Sequence, residues 1–404
     1  MTPSPGLREG AEAVAALLRE AAVEARGGSI VWLGPPSADG RPTVLPPHLY
    51  DGTAGIALFL AALDRARGTD EHRETVLRAL APLAGRLREL AADSARAAAA
   101  RMPLGGMVGL GSFIWALTRA GEWTGDAGLA EGARAGAALV TPARVAADDQ
   151  LDVVAGAAGT LLALLALDDE GKSGGADGAG PLDAALRCAA HLLERRVGSP
   201  GTRAWPGADN PPLSGFAHGA SGIAHALLRL YARTGRAELR DAALEGFAYE
   251  RTLFHPPAGT WLDPRTGRPL EQTAWCHGAP GMALARLHAA ALGVDGAEEE
   301  LERCLRLTRG LSDVTLDHLC CGNAGRAEIL LRAGQATGRN ELVDEASGIA
   351  ARMLSAATPA GHRYLPPGEP TAFAPSLFRG AAGVGYVLLR LWRPAVLPSP
   401  LLLD

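Results

Sequence analysis

An all-α chain arranged as an α/α toroid of about seven helical hairpins is what three features of this 404-residue sequence predict. A Gly-x-x-Gly motif recurs in step along the chain, an apolar stretch of helical period follows each copy, and strand signals are nearly absent. The copies are YDGTAGIALFL (Gly52, Gly55), LGGMVGLGSFIWAL (Gly106, Gly109), VVAGAAGTLLALL (Gly156, Gly159), FAHGASGIAHALL (Gly219, Gly222), WCHGAPGMALARL (Gly278, Gly281), LCCGNAGRAEILL (Gly322, Gly325) and LFRGAAGVGYVLL (Gly380, Gly383). They lie roughly 45 to 63 residues apart, the length of a repeat built on one helical hairpin.

Each motif opens a helix rich in small and apolar residues, such as IAHALLRLYARTG from Ile223. Between motifs lies a more polar helix, such as AELRDAALEGFAYERTL, with one apolar and one solvated face. The first kind fits an inner position buried all round, the second an outer position. Proline- and glycine-rich connections, among them VGSPGTRAWPGADNPP and HPPAGTWLDPRTGRP, separate the units. The motif glycines let backbones approach where a ring is narrowest, and positive φ is expected of them at the loop-to-helix junction. An open α-solenoid is the competing arrangement. Residues 1–404 read as one domain, of which 1–44 form an N-terminal helix and a linker leading into the first repeat.

Composition excludes several partners. A 48% apolar and 21% charged chain with its charges scattered is ordinary for a globular protein, and a formal charge of -5 leaves no electrostatic footprint for nucleic acid or an anionic membrane. The longest apolar run, AGAAGTLLALLAL, is shorter than the roughly 20 residues of a membrane span and is closed by Asp168, Asp169 and Glu170. The amino terminus mixes acids and bases through its apolar positions, unlike a signal peptide. Five cysteines form an odd set that fits reduced thiols, hence a cytoplasmic setting.

If the repeats close into a ring, residues just before each first glycine share one rim. Those positions hold Asp51, Gly105, Asp152 (four before its glycine), His218, Cys276 with His277, Cys320 with Cys321, and Arg379. Three of the five thiols thus share one phase in two consecutive repeats, while Cys188 and Cys304 do not. Zinc is the cofactor this pattern suggests, because it favours thiolate and imidazole and accepts a tetrahedral shell. Cys276, Cys320 and Cys321 would supply three thiolates and leave a fourth position for water or substrate. Small buried cysteines at a crowded junction are the plain alternative. His218 is the candidate general acid or base, against a structural histidine at a helix start. Asp152 would orient it, against a simple N-cap. Arg379 would bind a substrate carbonyl or carboxylate, against a rim salt bridge, and His277 is a second candidate substrate contact. Asp51 reads as a cap, and His225 and His318 as structural.

At these residues the chain resembles the lanthionine synthetase C-like cyclases, and among them the C-terminal cyclase domain of class II lanthipeptide synthetases. LYDGTAGIALFL, GFAHGASGIAHALL, AWCHGAPGMALARL, HLCCGNAGRAEILL and LFRGAAGVGYVLL carry the resemblance, from about Leu45 to the carboxyl end. It implies a seven-hairpin toroid with one zinc that adds peptide cysteine thiols to dehydroalanine or dehydrobutyrine, forming (methyl)lanthionine thioether rings. By motif position Cys276 and Cys320 match two cysteine ligands, and Cys321 stands where the stand-alone cyclases carry a histidine. His218 matches the proposed acid/base histidine and Asp152 its partner. The chain departs where those cyclases carry an arginine four residues before the first ligand and a tyrosine just after it; here the residues are Gln272 and His277.

The partners implied are a dehydrated precursor peptide and a dehydratase. About forty residues before the first repeat cannot hold a dehydratase, so an excised domain or a free-standing relative with a separate dehydratase is expected. The rival functions are a non-catalytic peptide-binding module, an enzyme adding a small thiol such as glutathione, and a hydrolase or terpenoid-type cyclase on the same fold.

Overall fold

The computed structural model describes residues 6–34, 41–170, 180–208, 211–270, 273–357, 362 and 374–404. Gln272 and much of the proline-rich connection around 358–373 lie outside them. Contacts divide the chain into two compact, interleaved units: Met1–Arg96 with Ala116–Ala135 and Ser312–Ser399, and Ala97–Trp115 with Gly136–Leu311 and Pro400–Asp404.

The second unit contains three whole hairpins, Ala157–Glu170 with Pro181–Glu194, Ala220–Thr234 with Ala237–Thr252, and Ala279–Ala291 with Ala297–Arg309. The inner and outer roles follow the sequence pattern. Helix Ala220–Thr234 is buried at every position from Ala220 to Leu228, because alanine, serine and glycine alternate with leucine on all its faces. Its partner buries Leu239, Ala242, Ala243, Gly246, Phe247 and Glu250, a single stripe spaced by three and four. The three inner helices pack in series, Ala157–Glu170 on Ala220–Thr234 and that on Ala279–Ala291.

The first unit repeats the scheme with Thr53–Arg67 and Arg73–Ala92, and with Asn323–Thr337 and Asn340–Ala356. The N-terminal helix Leu7–Glu20 has a different role from the expected lead into the first repeat. It buries Leu7, Ala11, Val14, Ala15 and Leu18 against the last inner helix, Ala381–Trp392, and so is the outer member of the seventh hairpin. Helix Ala381–Trp392 also packs on Thr53–Arg67, so the seventh repeat meets the first within this unit. An open solenoid would leave those two apart.

Strands are few and short among the described residues. Val23–Glu24 pairs with Ile30–Val31, and Leu33–Gly34 with Thr43–Val44. A three-stranded antiparallel sheet of Phe254–His255, Thr260–Asp263 and Arg268–Pro269 precedes the loop that carries Cys276. No described helix is long and apolar enough to cross a membrane.

The expectation of positive φ at the motif glycines holds at only one of the seven first glycines, Gly278 (φ 87). Gly219 and Gly322 are extended, at φ -119 and -126. Lack of space requires glycine instead. The loop folds back so far that a Cβ on Gly222 would lie 1.8 Å from the Phe216 carbonyl oxygen, and one on Gly325 would lie 2.1 Å from that of Leu319. Gly222→Ala is therefore expected to cost about 3 kcal/mol or more in thermal or denaturant unfolding, because main chain rather than a pliable side chain must move. Gly85→Ala, in the outer helix Arg73–Ala92 with nothing within 4 Å of the new Cβ, is expected to stabilise by about 0.5–1 kcal/mol.

Candidate functional site

Main-chain hydrogen bonds tie the loops ahead of the inner helices to one another. In the second unit Gly106 N donates to Val153 O (3.0 Å), Val153 N to Ala217 O (3.2 Å) and Ala217 N to Cys276 O (3.3 Å). In the first, Cys320 N donates to Phe378 O and Phe378 N to Tyr50 O, each at 3.0 Å, with the Tyr50 and Phe378 rings stacked at 4.8 Å. Within each unit, residues of one sequence phase thus stand on one hydrogen-bonded level, and the neighbouring side chains share it.

Asp152 and His218 meet in the second unit. One carboxylate oxygen of Asp152 lies 2.6 Å from His218 Nδ1, and the other accepts the Ala155 N–H at 2.7 Å. Asp152 therefore caps its own turn and holds the histidine as well. The carboxylate is buried while the His218 ring is 41% exposed. Burial, the largest single influence, lowers the His218 pKa, but the hydrogen bond and charge of Asp152 together with the charge of Cys276 outweigh it and raise the imidazole above its ordinary value. The His277 ring stands 5.8 Å from that of His218 and is pushed down to about 4, first by burial and then by the positive charge of His218 and Arg265. His277 is thus neutral near pH 7. Arg265 is held in the hairpin turn by a two-pronged pairing with Asp263 at 2.8 and 2.9 Å.

In the first unit, buried Cys320 and exposed Cys321 stand before helix Asn323–Thr337. Cys321 is drawn down to about 4, first by a hydrogen bond from Cys320 and then by one from His318, whose Nδ1 lies 3.5 Å from the sulfur. The Arg379 charge acts in the same direction. Arg379 is exposed and also lies within electrostatic reach of Asp51. Asp51 is not the cap expected of it: Gly52 is the N-cap of helix Thr53–Arg67, with no side-chain hydrogen bond, and Asp51 instead accepts from Ser376 Oγ at 3.3 Å and so joins the first and seventh loops, while burial, foremost, raises its pKa.

Cys276 belongs to the second unit, Cys320 and Cys321 to the first. Among the described residues no three or more histidine, cysteine, aspartate or glutamate side chains are gathered as a metal site. The donor chemistry nonetheless suits a soft divalent ion: a thiol already stabilised as thiolate beside a second thiol and an imidazole. Cys188 and Cys304 are unlike them, each fully buried and pushed up to about 12 by loss of solvent, as inert core thiols are.

Three participants escaped the sequence reading. His318 is not merely structural as expected: its spacing of three from Cys321 across a tight turn puts the two side chains together. Glu250 falls in the buried register of its outer helix, a visible signal since a carboxylate there must find partners. Asp148 had no comparable mark in the sequence. His225 is buried against Phe216 and His288, in keeping with a core histidine.

Comparison with known proteins completes the description. The family model described as lanthionine synthetase C-like protein matches residues 43–402. Among solved structures, nisin cyclase superposes with a TM-score of 0.60 at 17% identity, over 88% of this chain and 92% of that one. That likeness shows the fold, the α/α toroid of such cyclases. A sugar epimerase from a ruminal bacterium superposes at a TM-score of 0.48 and 11% identity over 97% of this chain and 100% of that one, and carries no argument. With a match spanning nearly the whole chain, the protein belongs to the lanthionine synthetase C-like family.

Proposed function

We propose that this chain is a zinc-dependent lanthipeptide cyclase, adding the thiol of a peptide cysteine across the double bond of a dehydroalanine or dehydrobutyrine in the same peptide. Family membership supports the reading. The observation that carries it is the 2.6 Å pairing of Asp152 with His218 on the hydrogen-bonded level that also holds Cys276. The likeness to nisin cyclase supports a peptide substrate. Such a substrate needs a dehydratase, fused or separate, to form its acceptor. A reduced thiol on both enzyme and peptide suits a cytoplasmic setting.

The reaction balances without a redox partner. The sulfur–Cβ bond forms as the thiol proton leaves, the π electrons pass to the carbonyl as an enolate, and the α-carbon then takes one proton. Cys276, Cys320 and Cys321 would hold the zinc, which when bound lowers the pKa of a peptide thiol so that it meets its acceptor as thiolate near neutral pH. His218 is assigned the α-carbon proton. Asp152 takes the Nδ1–H, which fixes the tautomer and leaves Nε2 to carry the proton outward. The bond from Ala155 N–H keeps the carboxylate from turning away. Neutral His277 and cationic, exposed Arg379 are assigned contacts to the peptide, Arg379 to a carbonyl or carboxylate.

Mass spectrometry of a dehydrated precursor peptide after incubation, with residual thiols alkylated and counted and zinc measured on the enzyme, tests both assignments. His218→Ala is expected to keep its zinc and to cyclise about 10²- to 10⁴-fold more slowly, or with altered configuration at the α-carbon. Cys320→Ala is expected to lose metal and rate together, and full cyclisation by a metal-free Cys320→Ala preparation would refute the zinc assignment. Cys304→Ala, at a buried neutral thiol, is expected to keep the metal. Stripping wild-type protein with a chelator is expected to stop cyclisation, and added zinc to restore it.

A further inference from the structure

Two buried carboxylates outside the motif phase fasten the loops that carry His218 and Asp152. Glu250, fully buried on the outer helix Ala237–Thr252, uses one oxygen to accept the N–H groups of Gly215 and Ser221, each at 3.0 Å. Those two amides bracket His218. Its other oxygen accepts Ser221 Oγ at 2.6 Å and pairs with Arg286 at 2.7 Å. Arg286, itself 1% exposed, is fixed in turn by Glu300 at 2.9 Å and lies over the Phe247 ring at 3.9 Å. Both Glu250 oxygens and the Nε and Nη1 of Arg286 have partners, which is the condition for keeping such charges out of water.

Asp148 does the same for Asp152. One of its oxygens accepts the N–H groups of Leu151 (3.2 Å) and Ala157 (2.9 Å), bracketing Asp152, and its carbonyl accepts His191 Nε2 at 2.8 Å. Other repeats close this turn with main chain: the first helical N–H donates to the carbonyl seven residues earlier, Thr53 to Pro46 at 2.8 Å, Leu110 to Pro103 at 3.0 Å, Asn323 to Leu316 at 3.0 Å and Ala381 to Ala374 at 2.7 Å. Ala157 departs from that rule. The corresponding carbonyl, Gln150 O, accepts Asp152 N at 2.7 Å instead, and Leu151 takes the left-handed φ of 63. A leucine there is unfavourable unless its surroundings hold it, and the Asp148 carboxylate holds its N–H. The fourth loop keeps its main-chain closure, Ala220 to Leu213 at 2.9 Å, and adds Glu250 to it. Gly215, pinned by Glu250, also backs onto the next loop, where a Cβ would stand 2.8 Å from Cys276 O.

We propose that Glu250, with Arg286 behind it, and Asp148 are positioning residues: they hold the 215–221 and 151–157 turns so that His218 and Asp152 meet in reacting register. The proposal rests on the acid assignment of His218 given above. Glu250→Asp keeps the charge and withdraws it from the loop by one methylene.

The test combines amide hydrogen exchange with a double-mutant cycle, using the full chain and, as probe, a peptide carrying one cysteine and one dehydroalanine. In Glu250→Asp, exchange across residues 213–222 is expected to quicken about tenfold or more. The kcat is expected to fall about 10- to 100-fold with KM unchanged, since a small misplacement of a reacting group costs that much. In a His218→Ala background the same change is expected to cost less than about twofold, because a residue acting only through His218 has nothing left to position. Unchanged exchange, or equal losses in both backgrounds, would overturn the proposal. A His218→Ala enzyme as fast as wild type would instead refute the acid assignment, and this proposal with it, whatever the exchange shows. If Glu250→Asp does not fold, Asp148→Asn is put through the same cycle with Asp152→Ala and exchange across 150–158, and it supports or overturns the proposal on the same outcomes.

Discussion

A side chain at the second glycine of each repeat would have to share space with a carbonyl oxygen of the preceding loop, and what those loops carry depends on that space staying empty. The distances at Gly159, Gly222, Gly281 and Gly383, 1.8 to 2.0 Å from a would-be Cβ to the carbonyl, leave no room for adjustment. Because the loop can lie flat on the first helical turn, its main chain is free to bond sideways to the next loop, as Val153 does to Ala217 and Ala217 to Cys276. The chemistry of the site is in this sense a consequence of packing. A histidine or cysteine at this phase is presented by rigid main chain, without needing a long side chain to reach.

Within each unit the histidines and cysteines sort by what surrounds them. His218 and Cys321 sit among groups that favour their charged forms, His277 among groups that favour its neutral one, and the core thiols Cys188 and Cys304 among groups that keep them protonated. Neighbouring side chains of similar type thereby acquire different work. An imidazole paired with a carboxylate can hand over a proton, a neutral imidazole beside it can accept or donate a hydrogen bond to a peptide, and a thiolate can serve a metal.

Much of the fold was legible in the sequence because glycine marks a steric constraint that recurs with each repeat, and because outer helices such as Ala237–Thr252 bury one stripe where inner ones bury every face. The role of Leu7–Glu20 was not legible. Its apolar stripe declares that it has a partner, but only the folded chain shows that the partner is the last helix and not the next one. Positive φ was a reasonable expectation at the motif glycines, yet close approach proved the commoner reason for them. At the site, motif phase singled out Asp152 and His218, which do meet. His318 stands four residues before Gly322, the same offset as Asp152 before Gly156, so the phase pointed to it as well. Phase could not find Glu250, whose partners are backbone amides of a loop 29 to 35 residues away, or Asp148, which lies outside the motif and binds amides of its own turn.

The zinc proposed above would be held by Cys276, Cys320 and Cys321 and would leave a place for the thiol of a peptide. X-ray absorption at the zinc edge of the metal-loaded protein measures that most directly. A shell of three sulfur neighbours at about 2.3 Å and one lighter atom is expected, rising to four sulfurs when a cysteine-containing peptide is added. A shell of nitrogen and oxygen alone, or one with fewer than three sulfurs, would contradict it.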